Sequence, residues 1–212
     1  MPTPDIRPLV LGITGGVASG KSTVVRMLVD HGACAVSADE IARRLLAPGS
    51  EMTLQVLAHF GPNFAITTDS AQVDRSKLAR HVFADDQARR ELGELMHPAI
   101  HAEMQQQIDR LTEDPACPLV AAEIPLLFEN RLQDAVDRVL VASSSEDEQV
   151  RRLMARVGGL SLDDALAQIR AQIPLAEKVG LADFVVDTNM PLADVGAQVH
   201  RLYAQLTKGA AY

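Results

Sequence analysis

Gly15-Gly16-Val17-Ala18-Ser19-Gly20-Lys21-Ser22 reads G-x-x-x-x-G-K-S, and its flanks decide what it means. Leu9 to Ile13 before it has the apolar run of a short buried strand. Lys21 to Asp30 after it carries Val24, Val25, Leu28 and Val29 at helical spacing. Strand, glycine-rich turn and helix in that order bring backbone N–H groups together on a polyphosphate. Gly15, Gly16 and Gly20 permit the tight curl. Lys21 is placed to reach the β and γ phosphates as a point charge, and the Ser22 hydroxyl to ligate a Mg²⁺ bridging the same oxygens. The stretch predicts nucleoside triphosphate binding and leaves the reaction open.

With 212 residues the chain suits one α/β core with room for an insertion. Two Tyr, five Phe and no Trp leave the packing to Leu, Val, Ile and Ala, which argues against a β-sandwich and against stacking platforms for single-stranded nucleic acid. A net charge of −8 disfavours nonspecific binding to nucleic acid or anionic membrane, so an anionic substrate must meet locally clustered Lys and Arg. Cys34 and Cys117 are far apart without a C-x-x-C, which reads as two ordinary buried thiols in a reducing compartment. Met1-Pro2-Thr3-Pro4-Asp5 lacks the features of a leader, and no apolar run reaches membrane-spanning length, so a soluble cytoplasmic protein is expected.

Beyond Gly32, Ala33 to Val36 predicts a second strand that delivers Ser37-Ala38-Asp39. Asp39 has two readings: an N-cap for a helix over Glu40 to Leu46, or an acid at a strand's carboxyl end that takes a proton from an attacking hydroxyl. Pro48-Gly49-Ser50 opens a helical insertion, with helices predicted over Glu51 to His59, Asp74 to His81, Asp86 to Met96 and Pro98 to Leu111, and closed by Asp114-Pro115. It carries Arg75, Lys77, Arg80, Arg89 and Arg90, which suit a second, anionic substrate or a solvated helix face. Leu119 to Ile124 resumes the strands and contains Glu123, placed either to serve a metal or to order a loop. Val136 to Val141 is another strand. Ser143-Ser144-Ser145-Glu146 caps a helix with Arg151, Arg152 and Arg156, Gly158-Gly159 allows a hinge, and Leu162 to Ile173 is helical. Arginines on a hinged helical pair suit a lid that closes over a transferring phosphate. Phe184 to Val186 and the helix Leu192 to Leu206 complete the chain.

Taken in order, these motifs resemble the dephospho-CoA kinase family along nearly the whole chain. The likeness rests on Gly12-Ile13-Thr14-Gly15-Gly16 through Gly20-Lys21-Ser22-Thr23, Asp39 with Ile41-Ala42-Arg43, Pro48-Gly49-Ser50 and Phe60-Gly61. It continues in Asp74-Arg75 with Leu78 and Phe83, His97-Pro98, Pro125-Leu126-Leu127-Phe128-Glu129, Arg152, Arg156, Gln172, Lys178 and Ala182-Asp183. The resemblance implies an α/β P-loop kinase fold with a central parallel sheet flanked by helices, a helical substrate-domain insertion and a helical lid. The expected bounds are 7–47, 116–145 and 180–212 for the nucleotide-binding core, 48–115 for the insertion and 146–179 for the lid. It implies ATP- and Mg²⁺-dependent phosphorylation of the ribose 3′-hydroxyl of dephospho-CoA. Asp39 corresponds to the catalytic base, with Lys21, Arg152 and Arg156 as the other catalytic groups. ATP falls to Gly15, Gly16, Val17, Ala18, Ser19, Gly20, Lys21, Ser22, Thr23 and Asn189, with Ser22 as the metal ligand. The substrate falls to Asp39, Arg43, Arg75, His97 and Leu126. A monomer or weak homo-oligomer without nucleic-acid or membrane partners is expected.

Three stretches depart from the family pattern. Val17-Ala18 stands where a small residue and glycine are usual, Ser37-Ala38-Asp39 replaces D-A-D, and Asp187-Thr188-Asn189-Met190 replaces the D-N-x-G turn near the adenine. The competing readings are a nucleoside or nucleotide kinase on the same scaffold and a nucleotide-gated switch. A GTPase version of the switch has no D-x-x-G or N-K-x-D after the loop to support it.

Overall fold

The computed structural model describes residues 7–67 and 70–208, so Met1-Pro2-Thr3-Pro4-Asp5 lies outside the described residues. Its elements run β1 (Leu9–Gly15), α1 (Lys21–Asp30), β2 (Cys34–Ser37), α2 (Ala38–Leu45), α3 (Glu51–Phe60), α4 (Arg75–Ala84) and α5 (Asp86–Thr112). They continue with β3 (Leu119–Glu123), β4 (Arg138–Ser143), α6 (Glu146–Arg156), α7 (Leu162–Arg170), α8 (Leu175–Gly180), β5 (Phe184–Asp187) and α9 (Leu192–Thr207). The chain divides into two compact units, one of residues up to Ser37 with those from Gln107 onward, the other Ala38–Gln106.

In the first unit the five strands pair in parallel in the order β2-β3-β1-β4-β5. Purely parallel sheets are covered on both faces, and β3 (Leu-Val-Ala-Ala-Glu) is buried at every position. One face packs Leu11, Ile13, Leu119, Ala121 and Leu140 against Val24 and Leu28 of α1 and Val195 and Val199 of α9. Each such Leu or Val contributes about 1.5–3 kcal/mol by leaving water. On the other face Gly12 leaves room for Leu127: a Cβ there would stand 2.8 Å from Leu127 Cδ1. Because β1 lies between β3 and β4, the chain's order reverses around it. That is where open parallel sheets place ligands, beyond the strands' carboxyl ends.

Cys34 and Cys117 are joined in a disulfide, which corrects the reading as separate thiols. Sequence spacing hides the pair because the two are 83 positions apart, while the register sets Cys34 beside Val120, three residues from Cys117. Closing so long a loop restricts the unfolded chain, so Cys34→Ser is expected to lower stability by ~2–4 kcal/mol. Thermal unfolding with and without reductant checks this: the parent should lose stability on reduction and the variant should not respond.

The second unit is helical. Its core joins Met52, Val56, Val73, Leu78 and Met96. Ala42, Leu45 and Leu46 pack on that core, so the unit starts with α2, ahead of the Pro48-Gly49-Ser50 break. Three expectations change here. Asp39 is inside the first turn of α2 and is not its N-cap, since the helix already begins at Ala38. Asp74 is the N-cap of α4, accepting from Lys77 N. The two helices predicted on either side of His97 are one helix of 27 residues with Pro98 inside it. A proline in a helix interior costs about 3 kcal/mol. Leu92, Leu95 and Met96 before it and Ala99 and Ile100 after it seat both halves in one core, and that burial carries the helix through.

Candidate active site

The phosphate-binding loop runs from the end of β1 to the start of α1, and side chains from four other positions grip its carbonyls. Lys21 Nζ donates to Gly16 O at 2.6 Å and to Gly15 O at 3.3 Å. Gln149 of α6, almost fully buried, donates to Val17 O at 2.9 Å. The Thr188 hydroxyl lies 2.7 Å from Ser19 O and 3.0 Å from Ser143 O. Lys178 Nζ is 3.5 Å from Gly15 O. Holding the carbonyls on one side turns the peptide N–H groups to the other, the arrangement that receives an anion.

Gly15 has φ 150, and a Cβ there would run into Ala142 O and Ser19 Oγ, so no other residue fits. Ala18 sits at φ 54 in the left-handed region. An L-residue pays roughly 1–2 kcal/mol for that conformation, so the Val17-Ala18 departure carries a cost even though Ala is compact.

At the sheet's carboxyl edge the register aligns Ile13 and Ser37 with Glu123. Ser22 Oγ donates to Glu123 Oε1 at 2.7 Å, and Ser37 Oγ lies 3.4 Å from Oε2. Ser22 and Ser37 thus flank the Glu123 carboxylate, one hydroxyl near each oxygen. A hydroxyl and a carboxylate side by side are hard oxygen donors of the kind Mg²⁺ takes.

A cleft of about 550 Å³ opens beside the loop, lined among others by Gly20, Thr23, Arg152, Thr188, Asn189 and Leu192. Ser145 caps α6 by accepting from Glu148 N, and that helix aims Arg152 inward. Arg152 donates from Nε to Glu148 at 2.7 Å, from Nη1 to Thr188 Oγ1 at 3.2 Å and from Nη2 to Thr188 O at 2.5 Å. Asn189 lines the same cleft with its polar atoms occupied, Oδ1 accepting from Ser145 and Nδ2 donating to Asp187. Arg156 is exposed at the end of α6, and Leu126 is half-buried in the segment after β3. Asp39, Arg43, Arg75 and His97 belong to the Ala38–Gln106 unit: Asp39 and Arg43 on α2, Arg75 opening α4, all three exposed, and the half-buried His97 on α5. Burial lowers the His97 pKa.

Hydrogen bonds from Arg151 first, and then from Arg152, hold the Glu148 carboxyl down at about 2, well below its ordinary 4.5. A depressed carboxyl contributes stability that is present above the unfolded value and lost as pH falls through the folded one. The Arg152 pairing is therefore intact across the neutral range. The Glu148 side-chain carboxyl resonance is expected to stay in its ionised position between pH 7 and pH 4. Titration near 4.5 would contradict the pairing.

Gln149, Thr188, Lys178 and Ser37 are absent from the site expected on sequence grounds. Thr188 and Ser37 left a trace as departures from the family pattern and Lys178 as part of the likeness, but their contacts with the loop and Glu123 appear only in the folded chain, and Gln149 left no trace.

A glycine-rich loop after the central strand of a parallel sheet, with Lys21, Ser22 and Glu123 about it, defines a P-loop nucleotide-binding protein of the kinase type. A family model described as dephospho-CoA kinase matches residues 9–194. A Carboxydothermus hydrogenoformans dephospho-CoA kinase is 42% identical over 190 residues, covering 90% of each chain. Among solved structures, a Campylobacter jejuni dephospho-CoA kinase superposes with a TM-score of 0.68 at 29% identity, covering 94% of this chain and 98% of the other. An Acinetobacter baumannii shikimate kinase shares the fold alone, with a TM-score of 0.54 at 13% identity, covering 97% and 96%. The chain belongs to the dephospho-CoA kinase family.

Proposed function

We propose that the chain transfers the γ-phosphoryl group of ATP to the ribose 3′-hydroxyl of dephospho-CoA, giving coenzyme A and ADP. The observation that carries this, beyond family membership, is the loop itself: four carbonyls tied back by Lys21, Gln149, Lys178 and Thr188, beside the Ser22–Glu123 pair. The loop amides receive the phosphates, and Lys21 turns from the Gly16 carbonyl to the β and γ oxygens. The cleft beside Arg152, Thr188 and Asn189 takes the base and ribose of ATP. Asp39 accepts the proton of the acceptor hydroxyl. Arg43, Arg75, His97 and Leu126 hold the acceptor. Arg152 and Arg156, on the α6–α7 lid, offset charge on the group in flight.

Phosphoryl transfer asks for alignment and charge neutralisation rather than covalent help from the protein. Ser22 and Glu123 would hold Mg²⁺, the Glu123 carboxylate directly or through water, and the ion supplies neutralisation of the phosphate oxygens when bound. Among the described residues no group of three or more His, Cys, Asp or Glu is gathered as a metal cage. This suits an ion that keeps waters and shares one or two protein oxygens with its phosphates. Glu123→Gln is expected to raise the Mg²⁺ concentration for half-maximal rate by about 10–100-fold. A metal titration of the rate reads it, and an unchanged requirement would remove Glu123 from the metal's surroundings.

The reaction is tested by coupled detection of ADP with dephospho-CoA, adenosine and AMP as acceptors. Turnover with dephospho-CoA well above the other two is expected. Preference for adenosine or AMP would instead favour a nucleoside or nucleotide kinase.

A further inference from the structure

Lys178 is among the largest side chains in the described chain to be fully buried. An ammonium out of water is tolerated only where it is paired and hydrogen-bonded. Its partner is Glu129, whose Oε1 is 2.6 Å away, and its second contact is Gly15 O at 3.5 Å. Glu129 Oε1 also accepts from the Ile173 N–H at 3.2 Å, one residue before the Pro174 that caps α8. One carboxylate oxygen therefore holds both the start of α8 and the lysine on its last turn. That lysine in turn touches the carbonyl at which β1 becomes the phosphate-binding loop.

The Gly15 carbonyl has two ammonium neighbours, Lys21 and Lys178, at 3.3 and 3.5 Å. They come from opposite ends of the sequence and have different freedom. Lys21 is half-buried at the mouth of the loop; Lys178 is enclosed and fixed by Glu129. Gly15 itself has no slack, since Ala142 O and Ser19 Oγ crowd the place of its missing Cβ.

We propose that Lys178, held by Glu129, is a positioning residue for phosphoryl transfer: it keeps the Gly15 carbonyl satisfied when Lys21 turns to the nucleotide, and so couples the returning end of the α6–α7 hairpin to the phosphate-binding loop. A buried carbonyl stripped of its donor would draw Lys21 back or let the loop shift. With Lys178 in place the loop keeps one shape whether Lys21 points to it or to phosphate. The inference rests on the kinase reading for the direction in which Lys21 moves.

The test separates positioning from folding with three proteins: parent, Lys178→Met, and Lys178→Met combined with Glu129→Gln. The single variant leaves a carboxylate enclosed without its cation, so its melting temperature should fall. The double variant removes both charges and keeps an amide oxygen for Ile173 N–H, so its melting temperature should recover towards the parent. Its kcat/KM for ATP should nevertheless remain depressed about tenfold or more, with KM for dephospho-CoA changed by no more than about twofold, because misplacement of the loop acts on the phosphates. The dissociation constant of a fluorescent ATP analogue should rise in parallel. A double variant that binds the analogue and turns over ATP as the parent does would make the pair purely structural, and one that fails to recover its fold would overturn the separation of roles. If the parent makes no coenzyme A, the kinase reading fails on its own account, while the analogue's affinity across the three proteins still decides the anchor.

Discussion

Asp39→Ala is expected to lower kcat by ~10²–10⁴-fold, the range for removing a general base, while ATP binds as before. Asp39 is exposed in the first turn of α2, with Glu40 beside it. At a helix N-terminus its charge contributes only about 0.3–1 kcal/mol, so the variant should stay folded and the loss should be chemical. Asp39→Asn sharpens the point: it keeps the shape and a hydrogen-bonding oxygen but has no basicity, and should be nearly as impaired as Asp39→Ala. Steady-state rates with dephospho-CoA, set beside ATP affinity measured separately, give the result. Undiminished phosphorylation by Asp39→Ala would remove Asp39 as the base.

Lys21→Met should cost ~10²–10³-fold in kcat, the scale for losing one preorganised donor to a developing charge. KM for ATP should rise as well, because the ammonium also meets the phosphates before transfer. Its Nζ is 2.6 Å from Gly16 O, at the loop that is proposed to hold the phosphates. Lys21→Arg should not rescue: a planar fork does not replace a compact charge among closely spaced amides. Rates near those of the parent for either variant would contradict the part assigned to Lys21.

The loop and its two flanking elements were legible because each residue there answers to a local requirement: glycines for curl, lysine for charge, serine for a hydroxyl. The strands were legible too, as apolar runs between helical patterns, and the family resemblance implied their parallel sheet; the helix that Pro98 interrupts was not legible. Proline's local cost is plain in the sequence, whereas the compensating burial of Met96 with Ala99 and Ile100 depends on where α3 and α4 pack. The same gap hid the Cys34–Cys117 bond and the Ser22–Glu123 pair, whose members lie 83 and 101 residues apart and meet only through strand register. Lys178 is the sharpest case. By residue type a lysine on a short helix reads as a solvated charge, and nothing nearby in sequence announces Glu129 or the Gly15 carbonyl. Thr188 shows how a departure from a family pattern can inform: the threonine ties Ser19 to Ser143 and accepts from Arg152, so the turn after β5 braces the loop as well as lining the cleft.

In the proposed reaction Asp39 faces the acceptor oxygen while the loop holds the triphosphate. A crystal structure with dephospho-CoA and a non-hydrolysable ATP analogue measures this directly. The Asp39 carboxylate should lie within hydrogen-bond reach of the ribose 3′-oxygen, about 2.6–3.2 Å, with that oxygen in line with the γ-phosphorus. A ternary complex in which the carboxylate points away from the 3′-oxygen, with another group in its place, would contradict the claim.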